Sequence, residues 1–167
     1  MGFYYGVIGK YLPIQAKPET KLVKYRILDN FLCFWFRFIY RQRTAIEMGN
    51  FLYVRETIHR EIASYSGPLL ERFFHSLLAS SGQYNRIGHY WERGHANEID
   101  LVAINDREEK LLICEVKRNR QRISLPLLQA KSARLLQNFP TYQVEFRPLS
   151  LEDAAQYLPG PHVDQLM

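Results

Sequence analysis

The chain has 167 residues, 47% of them hydrophobic and 14% aromatic, with a formal net charge of +5 and a pI of about 9.2. That length predicts one compact domain with room for an appendage, and the apolar content excludes global disorder. The basic balance permits a nucleic-acid partner without requiring one. No secretory signal is evident. The most apolar stretch, "FLCFWFRFIY" (Phe31 to Tyr40), contains Arg37 and is about half as long as the roughly 20 residues that a membrane-spanning helix needs. A cytoplasmic protein with no membrane segment is expected. Cys33 and Cys114 lie far apart in apolar runs and are expected as reduced core thiols.

The first residues, "YYGVIGKYLPIQAKPETKLVKYRILD", predict two strands around a polar loop marked by Pro18. A lone hairpin is marginal in water, so it either packs on the helices after it or is the remnant of an upstream domain. A helix is expected from Asp29 or Asn30, apolar nearly all round and therefore buried on several sides. A second helix is expected over Phe51 to Ile62 with Asn50 as its cap. A third begins near Ser66, with Pro68 in its first turn and Gly82 past its end. Leu70, Phe73, Phe74 and Leu77 form its apolar stripe, and Glu71 falls at the edge of that face.

Three strands are expected at about 85–92, 98–105 and 110–117. A helix capped by Ser124 comes next, with Pro140 just beyond it. A fourth strand covers 141–149, and a short helix covers 151–157. From Ser66 onward the order is α-β-β-β-α-β. Short turns make the first three strands antiparallel neighbours, and the crossover helix lets the fourth lie parallel to the third.

The segment "EIDLVAINDREEKLLICEVK" (Glu98 to Lys117) reads as a hairpin whose loop is "DREE". Asn105 then faces Lys110, and Asp100 lands opposite Glu115 on one face together with Lys117. Leu112, Cys114 and Val116 face the core. Two ionised carboxylates that close repel by roughly 3–4 kcal/mol at an effective dielectric of about 20. Three things can offset the repulsion: a proton on one carboxyl, Lys117 between them, or a divalent cation. Oxygen ligands of this kind suit Mg²⁺ or Mn²⁺. Carboxylates that hold a metal, with a lysine beside them, are the equipment for activating water against a phosphate.

Asp100, then Glu115-Val116-Lys117, with Glu71 on the preceding helix, resembles the PD-(D/E)xK nuclease pattern. The stretches "YRILDNFLCFWFRFIY", "GHYWERGHANEIDLVA" and "LLICEVK" resemble a narrower family: the nuclease-like C-terminal domain attached to archaeal-type P-loop ATPases. That resemblance runs from about Gly6 onward. It implies an α/β fold, a nuclease-like mixed sheet flanked by helices. It divides the chain into a hairpin (1–28) corresponding to a winged-helix wing, a helical extension (29–64) and a nuclease-like core (65–167). It implies a metal-dependent phosphodiesterase-like domain acting on DNA, with Glu71, Asp100 and Glu115 as ligands of Mg²⁺ or Mn²⁺ and Lys117 assisting the attacking water. The alternative is a non-catalytic nucleic-acid-binding or protein-interaction module that partners an ATPase. No GxxxxGK[ST] motif occurs, so no ATP site carries over, and the chain reads as a tail truncated from, or encoded apart from, its ATPase.

Each of these residues also has an ordinary explanation. Glu71 could be a first-turn acid favoured by the helix dipole. Asp100 and Glu115 could belong to an ion-pair network with Lys117, and Lys117 could be a solvated strand end. Glu98 is expected at the surface. Gln129 and Lys131 lie on the helix after the third strand, where supporting polar groups are often supplied. Between Val116 and Val144 there are six basic residues and no acidic one: Lys117, Arg118, Arg120, Arg122, Lys131 and Arg134. They could contact phosphates or form an ordinary basic face. Tyr90 and Trp91 could stack on bases, though packing is the commoner use. His89 and His95 lack zinc spacing, and Cys114 faces inward, away from any nucleophilic role. The aromatic helix could serve oligomerisation.

Overall fold

The computed structural model describes residues 3–4, 7–17 and 19–155. Gly6, Pro18 and the residues from 156 onward, including the end of the expected last helix, lie outside the described residues. Strands β1 (Phe3–Tyr4), β2 (Ile8–Tyr11) and β3 (Lys24–Ile27) form a small antiparallel sheet in the order β1-β2-β3, one strand more than the expected hairpin. The larger sheet has the order β4-β5-β6-β7, from β4 (Arg86–Tyr90), β5 (Ile99–Asn105), β6 (Lys110–Lys117) and β7 (Gln143–Ser150). Its first three strands are antiparallel neighbours and β7 runs parallel to β6. The result is a four-stranded mixed sheet in an α/β fold, as the element order requires.

Both faces of this sheet are covered. Leu101, Ala103, Leu112, Cys114 and Val116 pack with Leu70 and Phe74 of the long helix α3 (Phe51–Ser80). Val102, Ile104, Leu111 and Ile113 pack with Leu128 and Leu135 of α4 (Leu125–Leu136). Burial on both faces explains why "LLICEV" is an unbroken apolar run up to its glutamate, in place of an alternating one. Ser124 caps α4 through Leu127 N–H, as its sequence position implies.

The two helices expected at Phe51 and Ser66 are one. α3 runs without a break from Phe51 to Ser80, with Pro68 inside it. The first turn, where Pro68 is expected, is the commonest helical place for a proline. Here the helix tolerates it in the interior because both halves are fixed by packing. Leu70 and Phe74 bury against the sheet, and Tyr65 packs edge-on against Phe34 and Phe38. Gly67, without a Cβ, lessens the clash that proline imposes on the residue before it. Arg37 donates to Ser64 Oγ at 2.7 Å and Arg118 to Ser66 Oγ at 2.6 Å, bracing the turn that lacks a backbone donor. The expected boundary between residues 64 and 65 therefore falls inside α3.

The segment before α3 also departs from expectation. Asp29 caps α1 (Asn30–Phe34) by accepting from Leu32 N–H at 2.8 Å. The chain then widens into a π-helical stretch, Trp35–Ile39, tightens into a 3-10 turn, Tyr40–Gln42, and ends in α2 (Arg43–Glu47). Phe38 is fully buried, but Phe31, Trp35, Phe36 and Tyr40 are 42–66% exposed. The near-uniform apolar sequence implied burial on several sides, whereas the contacts with α3 run through Asn30, Phe34, Arg37 and Phe38 and leave Phe31, Trp35, Phe36 and Tyr40 largely uncovered.

The small sheet docks onto the rest through polar ties. Ile14 N–H donates to the His89 carbonyl at 2.7 Å, and Pro13 forms a bridge with His89. Arg72 of α3 reaches the Leu28 carbonyl at 2.6 Å and also bonds Asn30 Oδ1. Pro68→Ala should restore an interior helical hydrogen bond and raise stability by about 1–3 kcal/mol, read as a higher urea midpoint with an unchanged slope. A lower midpoint would show that the proline is required by its surroundings.

Candidate functional site

The β5–β6 ladder has the expected register from Asn105↔Lys110 to Leu101↔Cys114 and stops there. β6 continues alone against β7 as far as Lys117↔Ser150. The backbone N–H of Val116 is thus left without a strand partner on the β5 side. Asp100 supplies one, its Oδ2 accepting from Val116 N–H at 2.8 Å. The carboxylate at the end of β5 closes a gap that the separating strands create. The same oxygen lies 3.1 Å from Lys117 Nζ, and Glu115 Oε1 lies 3.2 Å from that ammonium. Lys117 thus lies between the two carboxylates, one of the three ways to relieve their repulsion.

Glu115 is 6% exposed, the most deeply buried of the predicted site residues. Lys131 of α4 lies 3.7 Å from its Oε1, so a second ammonium faces the same oxygen. Glu115 Oε2 is buried and has no hydrogen-bond partner. A buried carboxylate oxygen without a donor is costly. Burial by itself would lower the pKa of Lys117, but Asp100 and Glu115 outweigh it and the net shift is upward. The ammonium is charged at any physiological pH and cannot serve as a base.

Glu71 approaches from α3. Its Oε2 lies 3.4 Å from Arg26 of β3. Burial pushes its pKa up, and the nearby charge of Asp100 adds to the rise, while Arg26 and Lys117 pull the other way. Glu71, Asp100, Glu115 and Lys117 therefore form one electrostatic cluster. Among the described residues, no three His, Cys, Asp or Glu side chains form a group that could hold a metal ion.

Sequence reasoning missed two neighbours, Arg26 and His75, and weighed a third, His89, only for zinc. Arg26 belongs to the N-terminal sheet, far from the motif in the chain. His75 lies one turn after Glu71, and its ring stacks 6.3 Å from that of His89. His89 Nδ1 lies 2.5 Å from the Asp100 carbonyl oxygen. A carbonyl can only accept, so this nitrogen carries the proton. Burial lowers the pKa of His89 and favours that neutral form. The i, i+4 spacing of Glu71 and His75 was a usable signal; nothing in the sequence pointed to Arg26.

The other predicted residues scatter. Arg120 clamps Asp153 at 2.7 and 2.9 Å, Arg134 lies 3.5 Å from Glu92, and Arg118 is engaged with Ser66. Arg122 and Gln129 are exposed. Glu98 pairs with Lys24 at 2.6 Å, and that ammonium sits 4.5 Å over the ring of Trp91, which is buried. Tyr90 donates its hydroxyl to Glu92. Both aromatic residues thus serve packing and local bonding. The side chain of His95 lies outside the described part. Cys33 and Cys114 are free thiols, and burial pushes Cys114 up to about 12, far from a reactive thiolate. No helix among the described residues is long and apolar enough to cross a membrane.

Fold and site together define an α/β domain with a carboxylate and lysine cluster where two strands of a mixed sheet part. Residues 35–134 match the model of the family DUF234, described as archaeal and bacterial proteins of unknown function, and the chain belongs to that family. It is also similar to an uncharacterized protein of Methanocaldococcus jannaschii, with 35% identity over 117 residues. The match covers 66% of this chain and 26% of the relative, so the chain spans about a quarter of that protein's length. No solved structure matches it.

The raised pKa of Glu71 has a stability consequence. For a carboxyl whose folded pKa exceeds its unfolded value, the favourable contribution is present below the unfolded value and lost as pH rises through the folded one. Glu71→Gln should therefore raise the Tm by a few degrees at pH 7–8. The advantage should shrink toward zero as the pH falls below about 4.5, where wild-type Glu71 is protonated. Thermal unfolding across that range checks the sign; a lower Tm for the variant at pH 8 would mean that the Arg26 pair outweighs burial.

Proposed function

We propose that this chain is a metal-dependent phosphodiesterase-like domain of the PD-(D/E)xK nuclease type, acting on DNA. One observation carries the reading: Asp100 and Glu115 meet on Lys117 at the parting of β5 and β6, and the buried Glu115 Oε2 lacks a donor. An oxygen so placed is suited to a cation, and an all-oxygen donor set fits Mg²⁺ or Mn²⁺ in preference to softer metals. Asp100 and Glu115 would hold the ion, and Glu71 would join them only by moving closer, because the three carboxylates do not converge on one ion as they stand. When bound, it would supply a polarised water and neutralise phosphate charge.

The protein's own groups do the rest. Asp100 is fixed by Val116 N–H, so its second oxygen is aimed by the backbone and does not have to be ordered when substrate arrives. Lys117, permanently charged, orients the attacking water and stabilises negative charge gathering on the phosphate. Lys131 offsets the charge of Glu115 from the side of α4. The order α3-β4-β5-β6-α4-β7 agrees with the core order of the nuclease superfamily that the sequence resembles.

A second reading has its own support. Phe31, Trp35, Phe36 and Tyr40 form an exposed aromatic face, and about three-quarters of the archaeal relative lies outside this match. That exposed face, and the part of the relative outside the match, suit a non-catalytic module that binds a partner such as an ATPase, or a second copy through the Phe31–Tyr40 segment.

Cleavage of plasmid and single-stranded DNA by purified protein separates the two readings. Mg²⁺ or Mn²⁺ should support cleavage, and Ca²⁺, with its looser coordination, should bind without supporting it well. Asp100→Asn or Glu115→Gln should abolish turnover while the far-UV circular dichroism stays unchanged. Lys117→Ala should lose rate by about 10²-fold or more, with a much smaller change in metal affinity by calorimetry. Activity equal in wild type and Asp100→Asn would identify a contaminant. Inactivity with every metal would leave the non-catalytic module.

DNA affinity should fall steeply with salt as phosphate contacts release counterions. Charge reversal at Arg122 should weaken binding and flatten the salt slope by about one unit, whereas reversal at Arg120, whose charge Asp153 already compensates, should matter less. Equal effects at the two positions in a fluorescence titration would show that Asp153 does not hold Arg120 in solution.

A further inference from the structure

A cleft of about 550 Å³ lies beside the carboxylate cluster, between β3, the aromatic segment and α3. Arg26, Arg37, Arg41 and Arg72 line it, together with Tyr11 and Phe36, and no carboxylate is part of its lining. Four guanidinium groups around one cavity repel one another and call for an anion. The surroundings relieve only part of this charge. Arg26 has Glu71 at 3.4 Å and Arg37 has Glu61 at 3.3 Å. Arg72 is satisfied by neutral oxygens, the Leu28 carbonyl and Asn30 Oδ1, which fix its position without cancelling its charge. Arg41 is exposed at the mouth.

The helical irregularity contributes to this arrangement. Arg37 sits in the π-helical stretch and Arg41 in the 3-10 turn directly after it, and both reach the same cleft. Local widening and tightening of a helix costs hydrogen-bond quality and is found where a side chain must be re-aimed. The apolar lining adds a second kind of contact. Phe36 is 47% exposed, and the Tyr11 ring already carries the Arg26 guanidinium 5.6 Å from its centre. Planar cations with open aromatic faces are the combination that grips a phosphate and stacks an unpaired base.

Arg26 joins this cleft to the carboxylates, because it lines the cavity and touches Glu71. We propose that the cleft binds single-stranded nucleic acid, holding phosphate with Arg37, Arg41 and Arg72 and stacking a base on Phe36, so that the strand leads past Arg26 toward Glu71 and Asp100. The proposal deepens the nuclease-like reading by naming the substrate as a single strand, and it locates the main phosphate contacts away from the basic run after β6. Its binding part can be measured without any cleavage.

Fluorescence anisotropy of a labelled single-stranded oligonucleotide, with no divalent metal present, tests it. Arg41→Glu should weaken binding by about tenfold or more and flatten the salt slope by about one unit. Phe36→Ala should weaken it severalfold with no change in that slope, because stacking releases no counterions. Both side chains are largely exposed, so loss of fold is not at issue, and far-UV circular dichroism verifies this. Arg107→Glu, a charge reversal at an exposed residue of the β5–β6 turn outside the cleft, should bind as the wild type does. A duplex of the same sequence should bind more weakly, since its bases cannot reach Phe36. Wild-type affinity in Arg41→Glu, or tighter binding of the duplex, overturns the proposal. Intact binding by a protein that cleaves nothing would sink the nuclease reading and leave this cleft standing.

Discussion

The ammonium of Lys117, 3.1 Å from Asp100 and 3.2 Å from Glu115, makes the rest of this sheet end possible. β5 and β6 separate there, and separating strands expose backbone donors that must be satisfied. A carboxylate satisfies one of them, but a carboxylate near the mostly buried Glu115 would be strongly repelled. The lysine removes that conflict. Its position at the last residue of β6 lets a flexible four-carbon stem return over both acids while the strand below it stays paired with β7. Charge balance, strand separation and access to the carboxylates are therefore one arrangement seen from three sides.

The same logic extends outward through opposite charges of diminishing burial. Lys131 supports Glu115 from α4, Arg26 engages Glu71 from the small sheet, and Lys24 engages Glu98 while covering Trp91. The small sheet that supplies Arg26 and Lys24 gains its place by these bonds and by the Pro13–His89 bridge. A three-stranded sheet of two- and four-residue strands would not stand alone in water. Its attachment to α3 and β4 supplies what its own core lacks, and it contributes a guanidinium to the cluster in return.

Much of the larger sheet was legible because its signals are local. The "DREE" turn sets the hairpin register, and Ser124 and the leucines after it define α4. That register brings Asp100 and Glu115 near one another, although the ladder ends one pair earlier and Val116 N–H fixes Asp100 beyond it. What was not legible depends on partners distant in sequence. Pro68 is as common at a helix start as it is rare inside one, and only packing at Tyr65, Leu70 and Phe74 decides between them. The aromatic segment reads as buried from its composition, but composition does not say that Phe31, Trp35, Phe36 and Tyr40 stay largely uncovered. Arg26 meets Glu71 across 45 residues of chain, and no pattern in either stretch announces the other.

Pro68 also sets how the molecule deforms. A 30-residue helix is about 45 Å long and is normally stiff along its whole length. Here one backbone hydrogen bond is missing in its second half, three residues before Glu71, and a helix bends most easily where its ladder is interrupted. A load applied at the aromatic end would be absorbed as flexure at Pro68 before reaching the carboxylates. The ties from Arg37 to Ser64 and from Arg118 to Ser66 sit at that point, one from the aromatic segment and one from the residue after β6. They limit how far the helix can open where its ladder is interrupted, so the weak point of the rod is also its most cross-tied one.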